Sequence, residues 1–123
     1  MKISNWTIRG VSIAGRHTTI IVEELKVCFD LGVIIDNIER VQTALISHGH
    51  GDHIGSLHIF LALRHLRKLP PPLCIMPNVC LPPFKVLCSA ASALDRGKAD
   101  TILFNNLIKC ITSSADSLLL MPL

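Results

Sequence analysis

The sequence predicts a mixed α and β fold, and three observations support this prediction. Two segments rich in β-branched residues, 6–13 and 18–30, are typical of short strands in antiparallel hairpins, with "EELK" at 23–26 as a tight turn. A short apolar strand is predicted at 41–47. A helical pattern comes after it, and a further short strand is predicted within "PLCIMPNVC", 72–80, as in a strand, helix, strand unit.

The predicted helix extends from Ile54 to Leu69. It is apolar on nearly all sides in its middle, which indicates a mostly buried helix. Three prolines at 70–72 end it. Its last turn carries a basic cluster, Arg64, Arg67 and Lys68. Cations in this position complement the helix dipole, which is the favoured interpretation, and contact with RNA phosphates is the alternative.

Composition and charge exclude several classes of protein. The chain has 123 residues, enough for one small domain, and its charged share of 17% is low against a usual share of roughly 25%. A net charge of +3 is too mild to indicate nucleic-acid binding by itself. The five cysteines form no C-x-x-C pair, which argues against a disulfide framework and against a cysteine zinc site.

The location expected from the sequence is intracellular. The N-terminus shows no signal peptide, and no stretch approaches the roughly 18 apolar residues of a membrane span. We therefore expect no membrane association and a location in the cytoplasm or nucleus, with an organelle not excluded.

The segment "SHGHGDHIG", 47–55, concentrates residues that bind metals. Its four candidate ligands are His48, His50, Asp52 and His53. The first three are two apart, so on an extended segment they point to the same side, and His53 comes next, where the helix begins. Imidazole and carboxylate groups are ordinary zinc ligands. Gly49 and Gly51 place no side chain between the ligands and would tolerate the angles of a tight wrap.

This pattern resembles the signature of the metallo-β-lactamase superfamily, since it lies between a predicted strand and a predicted helix. "VCFDLG" at 27–32 looks like that superfamily's first motif, whose aspartate is here Asp30. The finer similarity is to the ribonuclease Z branch, the endonucleases that trim the 3′ ends of precursor tRNAs. "LISHGHGDHIGSL", "KLPPPLCIMPN" and the "ALDRGKAD" segment carry it, and it covers roughly residues 8–100.

The resemblance implies a fold, a cofactor and a substrate. The fold is the N-terminal half of an αββα sandwich, and the complete site holds two Zn²⁺ ions for phosphodiester hydrolysis. One zinc would be held by His48 and His50, and the other by Asp52 and His53. Asp52 would also be the catalytic proton acceptor, and Asp30 would orient the ligands. The substrate would be precursor tRNA, and family members are often homodimers.

The chain departs from the family on the C-terminal side of this cluster. The family needs a third histidine, a bridging aspartate and a last histidine, whereas this chain has no histidine after His65. Of the later residues, Asp95, Asp100 and Asp116 match no motif. We therefore expect a partial metallo-β-lactamase-like domain at 1–100 and a tail of uncertain status at 101–123. Such a chain would expose an apolar sheet face, bind zinc loosely and catalyse nothing by itself.

Two alternatives stay open. The chain could belong to another hydrolase of the superfamily that acts on a thioester, a lactam or a different phosphodiester, because all share the ligand cluster. It could also be a catalytically dead fragment that binds zinc, RNA or a partner chain. Of the other histidines, His58 and His65 are interpreted as polar helix positions and His17 as a turn residue.

Overall fold

The computed structural model describes residues 1–96, 109–113 and 118–121. Within these ranges eight strands form one mixed sheet in chain order. They are β1 (Lys2–Ile3), β2 (Trp6–Ile13), β3 (His17–Val22), β4 (Val27–Phe29), β5 (Thr43–Leu45), β6 (Leu73–Pro77), β7 (Lys109–Ser113) and β8 (Leu118–Met121). Strands β1 to β4 pair antiparallel, β4 to β7 pair parallel, and β8 returns antiparallel to β7. The fold is therefore α+β, consistent with part of a metallo-β-lactamase-type domain.

Helices supply two of the parallel connections. The α-helices are α1 (Gly51–Ile54), α2 (Leu57–Leu66) and α3 (Leu81–Arg96), and two short 3-10 helices cover Ile38–Arg40 and Asn78–Cys80. Helices α1 and α2 link β5 to β6, and α3 links β6 to β7, as parallel strands require. The segment after β6, which is only weakly helical in its sequence pattern, thus contains a helix of 16 residues. Its two prolines lie in the first turn, where an amide hydrogen is not needed.

The predicted hairpins are confirmed, and the bounds of one strand and of one helix are corrected. Strand β2 has the predicted bounds, whereas β5 is shorter than the predicted 41–47. The single helix predicted over 54–69 is instead two helices, because the Ser56 amide donates to the Leu31 carbonyl (2.9 Å) and interrupts the helical hydrogen bonds. Strands β7 and β8 lie in the tail, where the sequence shows no periodicity.

The core lies between one face of the sheet and the helices. Neighbouring strands β3 to β6 align Ile21, Cys28, Ala44 and Cys74 in one row, and all four are at most 3% exposed. They belong to one buried cluster with helix side chains that include Leu57, Phe60, Leu61, Leu81 and Phe84. Cys28, Cys74, Cys80 and Cys88 are buried and form no disulfide, and burial raises the pKa of Cys28 to about 12.

The opposite face of the sheet is apolar and only partly covered. Ile20, Phe29, Leu45 and Ile75 align as the next row across β3 to β6. Phe29 is 46% exposed and the other three are half-buried. This is the exposed sheet face that the sequence predicts. In the described ranges, no helix is long and apolar enough to cross a membrane.

Arg64 is a buried cation that joins three segments. It is 5% exposed, and its guanidinium donates to the carbonyl oxygens of Glu39 (2.7 Å), Val41 and Pro70 (2.7 and 3.1 Å). Helix α2 is thereby tied to the 3-10 helix before β5 and to the segment before β6. Within the basic cluster Arg64 is therefore buried, whereas Arg67 and Lys68 are exposed. The Arg64 guanidinium donates hydrogen bonds to carbonyl groups that would otherwise need water as a partner.

Replacing Arg64 tests this role. We expect Arg64→Met to lower the free energy of unfolding by about 2–4 kcal/mol, since three carbonyl groups, one in a buried and two in part-buried positions, lose a charged donor. Arg67→Met is the matched control, because the Arg67 side chain is 59% exposed and faces Glu39 at 3.6 Å. Its effect should stay within about 1 kcal/mol, as for exposed ion pairs. If urea denaturation shows that Arg64→Met and Arg67→Met lose the same free energy of unfolding, Arg64 does not have this structural role.

Candidate metal centre

The histidine segment lies at the carboxyl end of β5. The chain leaves the strand through Ser47 and His48, and His50 precedes the first residue of α1 with ψ of 144°. The ring of His48 lies 4.5 Å from that of His50 and 4.1 Å from that of His53, measured between ring centroids. Three of the predicted ligands are therefore brought together by the turn from strand to helix.

The fourth predicted ligand is not where an extended segment would place it. The His53 and Ile54 amides donate to the His50 carbonyl (2.9 and 3.0 Å), so the helix is already forming at Asp52. Asp52 thus lies in the first turn of α1 rather than in line with His48 and His50. It still reaches the cluster, because its Oδ2 lies 3.3 Å from Nε2 of His53.

The glycines of the segment act differently from the prediction. Neither Gly49 nor Gly51 has a positive φ. A Cβ on Gly51 would meet no atom within 4 Å, and one on Gly49 would lie 3.3 Å from Sγ of Cys80. The close approaches occur elsewhere: a Cβ on Gly32, shortly after β4, would lie 1.8 Å from the Asp52 carbonyl oxygen, and one on Gly55 would lie 2.4 Å from the Gly51 carbonyl oxygen.

Asp30 is the buried centre of the site. It is 7% exposed and has a positive φ of 58°, a conformation that aspartate tolerates better than most residues. Its carboxylate accepts hydrogen bonds from the Ser47 amide (2.7 Å), the Ser47 hydroxyl (2.9 Å) and Nδ1 of His53 (2.7 Å). Its own amide donates to the Leu45 carbonyl (2.8 Å). One side chain therefore joins the ends of β4 and β5 to α1.

These hydrogen bonds fix which ring nitrogens are free. An ionised carboxylate only accepts, so Ser47 donates its hydroxyl hydrogen to Asp30. Nδ1 of His48 lies 2.8 Å from the same hydroxyl oxygen and must be the donor. Nδ1 of His53 likewise donates to Asp30. In the neutral form both rings therefore present the lone pair of Nε2, which is the tautomer that a metal ligand needs.

His53 and Asp52 have the spacing of two ligands on one ion. Donor atoms about 2.0–2.1 Å from a tetrahedral zinc lie about 3.3 Å apart, and Nε2 and Oδ2 are separated by 3.3 Å. The hydrogen bond to Asp30 and the charges of Asp30 and Asp52 raise the pKa of His53 above its ordinary value. A proton on Nε2 of His53 would also be stabilised by Oδ2 of Asp52 at this distance. A proton and a metal ion would therefore compete for the position between the two atoms.

The donor chemistry fits zinc, but the set is incomplete. Across the described ranges, no group of three or more His, Cys, Asp or Glu side chains is arranged to hold one ion. His50 is exposed, and His48 is half-buried. The structure thus offers one well-spaced pair with two further imidazoles beside it.

The remaining candidate residues lie outside this cluster. His58 and His65 are on α2; His65 is exposed, whereas Nδ1 of His58 is buried without a hydrogen-bond partner. His17 begins β3 rather than lying in a turn, because it pairs with Ile13 of β2. Asp95 is near the end of α3, and Asp100 and Asp116 lie outside the described residues.

Two participants in the site are not indicated by the sequence. Ser47 lacks the motif of a nucleophilic serine, and no sequence motif reports its hydrogen bonds to Asp30 and His48. Gly15 donates its amide to Oδ2 of Asp52 (3.2 Å) from the turn between β2 and β3. That contact spans 37 residues of chain, so no local pattern reports it.

The mixed sheet, with a histidine loop at the end of a parallel strand, is consistent with part of a metallo-β-lactamase-type domain. No family model matches the chain. Comparison with curated proteins finds similarity to proteins named tRNase Z or ribonuclease Z, as the sequence predicts. The chain is 40% identical over 77 residues to tRNase Z TRZ1 of Arabidopsis thaliana, a match that covers 63% of this chain and 28% of that protein.

Two further curated proteins are similar to this chain over nearly the same number of residues. The chloroplastic tRNase Z TRZ2 of Arabidopsis thaliana is 36% identical over 77 residues, and the nuclear ribonuclease Z of Triticum aestivum is 35% identical over 78 residues. Each match covers 63% of this chain, but only 22% and 44% of the respective relatives. The chain thus spans less than half the length of each of these three curated relatives.

The close approach of Gly32 to Asp52 yields a test. We expect Gly32→Ala to lower the free energy of unfolding by about 1–3 kcal/mol, because the added methyl group overlaps the Asp52 carbonyl. Gly51→Ala is the matched control within the histidine segment, where the added methyl group meets open space, and its effect should stay within about 0.5 kcal/mol. If urea denaturation gives both variants the same free energy of unfolding, the close approach of Gly32 to the Asp52 carbonyl does not require a glycine.

Proposed function

We propose that this chain carries the ligand cluster of a ribonuclease Z, an endonuclease that removes the 3′ trailer from precursor tRNA. One observation carries the proposal: His48 and His53 are held with Nδ1 as donor and Nε2 free, beside the carboxylate of Asp52. The similarity to three proteins named tRNase Z or ribonuclease Z supports the reaction class and the RNA substrate.

In this proposal zinc is the metal and the four residues divide between two ions. His53 and Asp52 hold one ion, which their 3.3 Å spacing supports. His48 and His50 contribute to the other, which the contact between their rings supports. Bound zinc would lower the pKa of water and stabilise charge on the phosphate oxygens.

The chain's own residues position the ligands and handle the proton. Asp30 orients His53 directly and His48 through the Ser47 hydroxyl, so both imidazoles depend on one carboxylate. Asp52 is the proposed proton acceptor: its side chain is 16% exposed, and the Gly15 amide restrains one of its oxygens. Its second oxygen, Oδ1, is then available to accept a proton from water at the scissile phosphate.

A second proposal concerns the 123-residue chain taken alone, which we expect to bind zinc weakly and to cleave nothing. The well-spaced pair of His53 and Asp52 supplies two donors, whereas catalytic zinc sites use three protein ligands, which supports this proposal. Catalysis would then need ligands from additional sequence or from another chain.

Location is proposed from the names of the relatives, and assembly from the family resemblance of the sequence. Two of them are named for the chloroplast and the nucleus, so we propose an intracellular location without choosing a compartment. We propose homodimerisation on the basis of that resemblance.

A chimera tests the function. Residues 1–96 of this chain would replace the corresponding segment of tRNase Z TRZ1, and cleavage of a precursor tRNA would be measured with zinc or manganese. We expect removal of the 3′ trailer, and a loss of about 100-fold or more in kcat for Asp52→Asn, the scale of a lost general base.

The matched control is His65→Gln, an exposed position on α2 that should stay within about twofold of the parent chimera. A chimera that turns over a thioester or a lactam but no RNA would refute the ribonuclease assignment. Full activity in Asp52→Asn would refute the role of Asp52.

A further inference from the structure

A basic groove lies at the end of the sheet opposite the histidine segment. A cavity of about 1220 Å³ opens beside the first residues of β5 and β6, and a second cavity of about 210 Å³ adjoins it. Lys26, Asn37 and Arg40 line both cavities, so the two form one surface. We call this surface the basic groove.

The charges of the groove do not balance. Its lining holds five cations, Arg9, Lys26, Arg40, Arg64 and Arg67, and two carboxylates, Glu23 and Glu39. Arg9 pairs with Glu23, and Arg67 faces Glu39 at 3.6 Å. The Arg64 guanidinium is engaged by backbone carbonyls. Among the described residues, Lys26 and Arg40 therefore lack a carboxylate partner, and both are exposed.

The backbone holds these two cations in place. Lys26 ends the tight turn before β4, and its carbonyl accepts from the amides of Gln42 (2.8 Å) and Thr43 (3.2 Å). Arg40 ends a 3-10 helix whose first residue, Ile38, is fully buried. Two unpaired charges on anchored backbone are preorganised for an anion, which reduces the ordering cost of binding.

We propose that the basic groove binds the phosphate backbone of RNA. The volume exceeds the roughly 300–1,000 Å³ of most small-molecule sites, which favours a chain of phosphates over a single small anion. The side-chain amides of Asn37 and Gln42 add donors that suit phosphate and sugar oxygens. The choice of RNA rests on the proposed function, whereas the anion preference rests on the charges alone.

The groove and the histidine segment are on opposite ends of one strand. Four residues lie between Thr43, at the groove, and His48, so in extended chain the two are roughly 16 Å apart. RNA held by the groove could therefore extend toward the ligand cluster without occupying it. Binding at the groove should accordingly not require metal.

Fluorescence anisotropy with a labelled precursor tRNA, the full chain and EDTA tests this proposal. The double variant Lys26→Gln/Arg40→Gln should weaken binding about tenfold at low salt and reduce the salt dependence by about one to two counterions. The matched double variant Lys2→Gln/Lys85→Gln removes the same charge outside the groove and should change binding less than about twofold. The single variants, each expected to lose about threefold, guard against misfolding of the double variant.

Three results would overturn the proposal: no binding by the parent chain, equal losses in both double variants, or complete displacement of RNA by millimolar inorganic pyrophosphate. The last would mark a site for small anions instead. Because EDTA prevents metal-dependent cleavage, these outcomes are separate from the chimera's activity, and failure of one proposal is distinguishable from failure of the other.

Discussion

The buried carboxylate of Asp30 is the interaction on which the site depends. Burying a charge costs several kcal/mol unless hydrogen bonds satisfy it. Here Ser47 supplies an amide and a hydroxyl donor, and His53 supplies a ring donor. These donors come from the end of β5 and from α1, while Asp30 itself lies at the end of β4. The cost of burial is therefore offset only when the strands and the helix are in their native positions, so the fold and the ligand geometry stabilise each other.

The same arrangement separates two functions along one sheet. The imidazoles of His48 and His53 lie where β5 ends, whereas Lys26 and Arg40 lie where β4 and β5 begin. Between them, the row of Cys28, Ala44 and Cys74 packs tightly against the helices, which keeps the spacing constant. The strands therefore hold the histidine segment and the basic groove at a fixed distance from each other. The row that includes Phe29 and Leu45 lies on the other face of the sheet and is only partly covered.

Local patterns predict the parts of the structure that depend on local physics. Alternating β-branched residues indicate the hairpins, and the two-residue spacing of His48 and His50 correctly places their rings together. Long-range contacts decide the rest: the Leu31 carbonyl ends α1 by accepting the Ser56 amide. The buried state of Arg64 and the basic groove likewise depend on segments that meet only in the folded chain, and no periodicity reports them.

Calorimetric titration of zinc into the isolated chain tests whether the Asp30 carboxylate holds the ligands in position, with Asp30→Asn compared with the exposed control Asp36→Asn. We expect the parent chain to bind zinc with a free energy smaller than the roughly 10–16 kcal/mol of structural zinc sites. Asp30→Asn should weaken zinc binding by about 10- to 100-fold, the usual effect of removing a carboxylate that orients a ligand. Asp36→Asn should match the parent. No zinc binding, unchanged binding in Asp30→Asn, or two tight sites on the isolated chain would contradict the account.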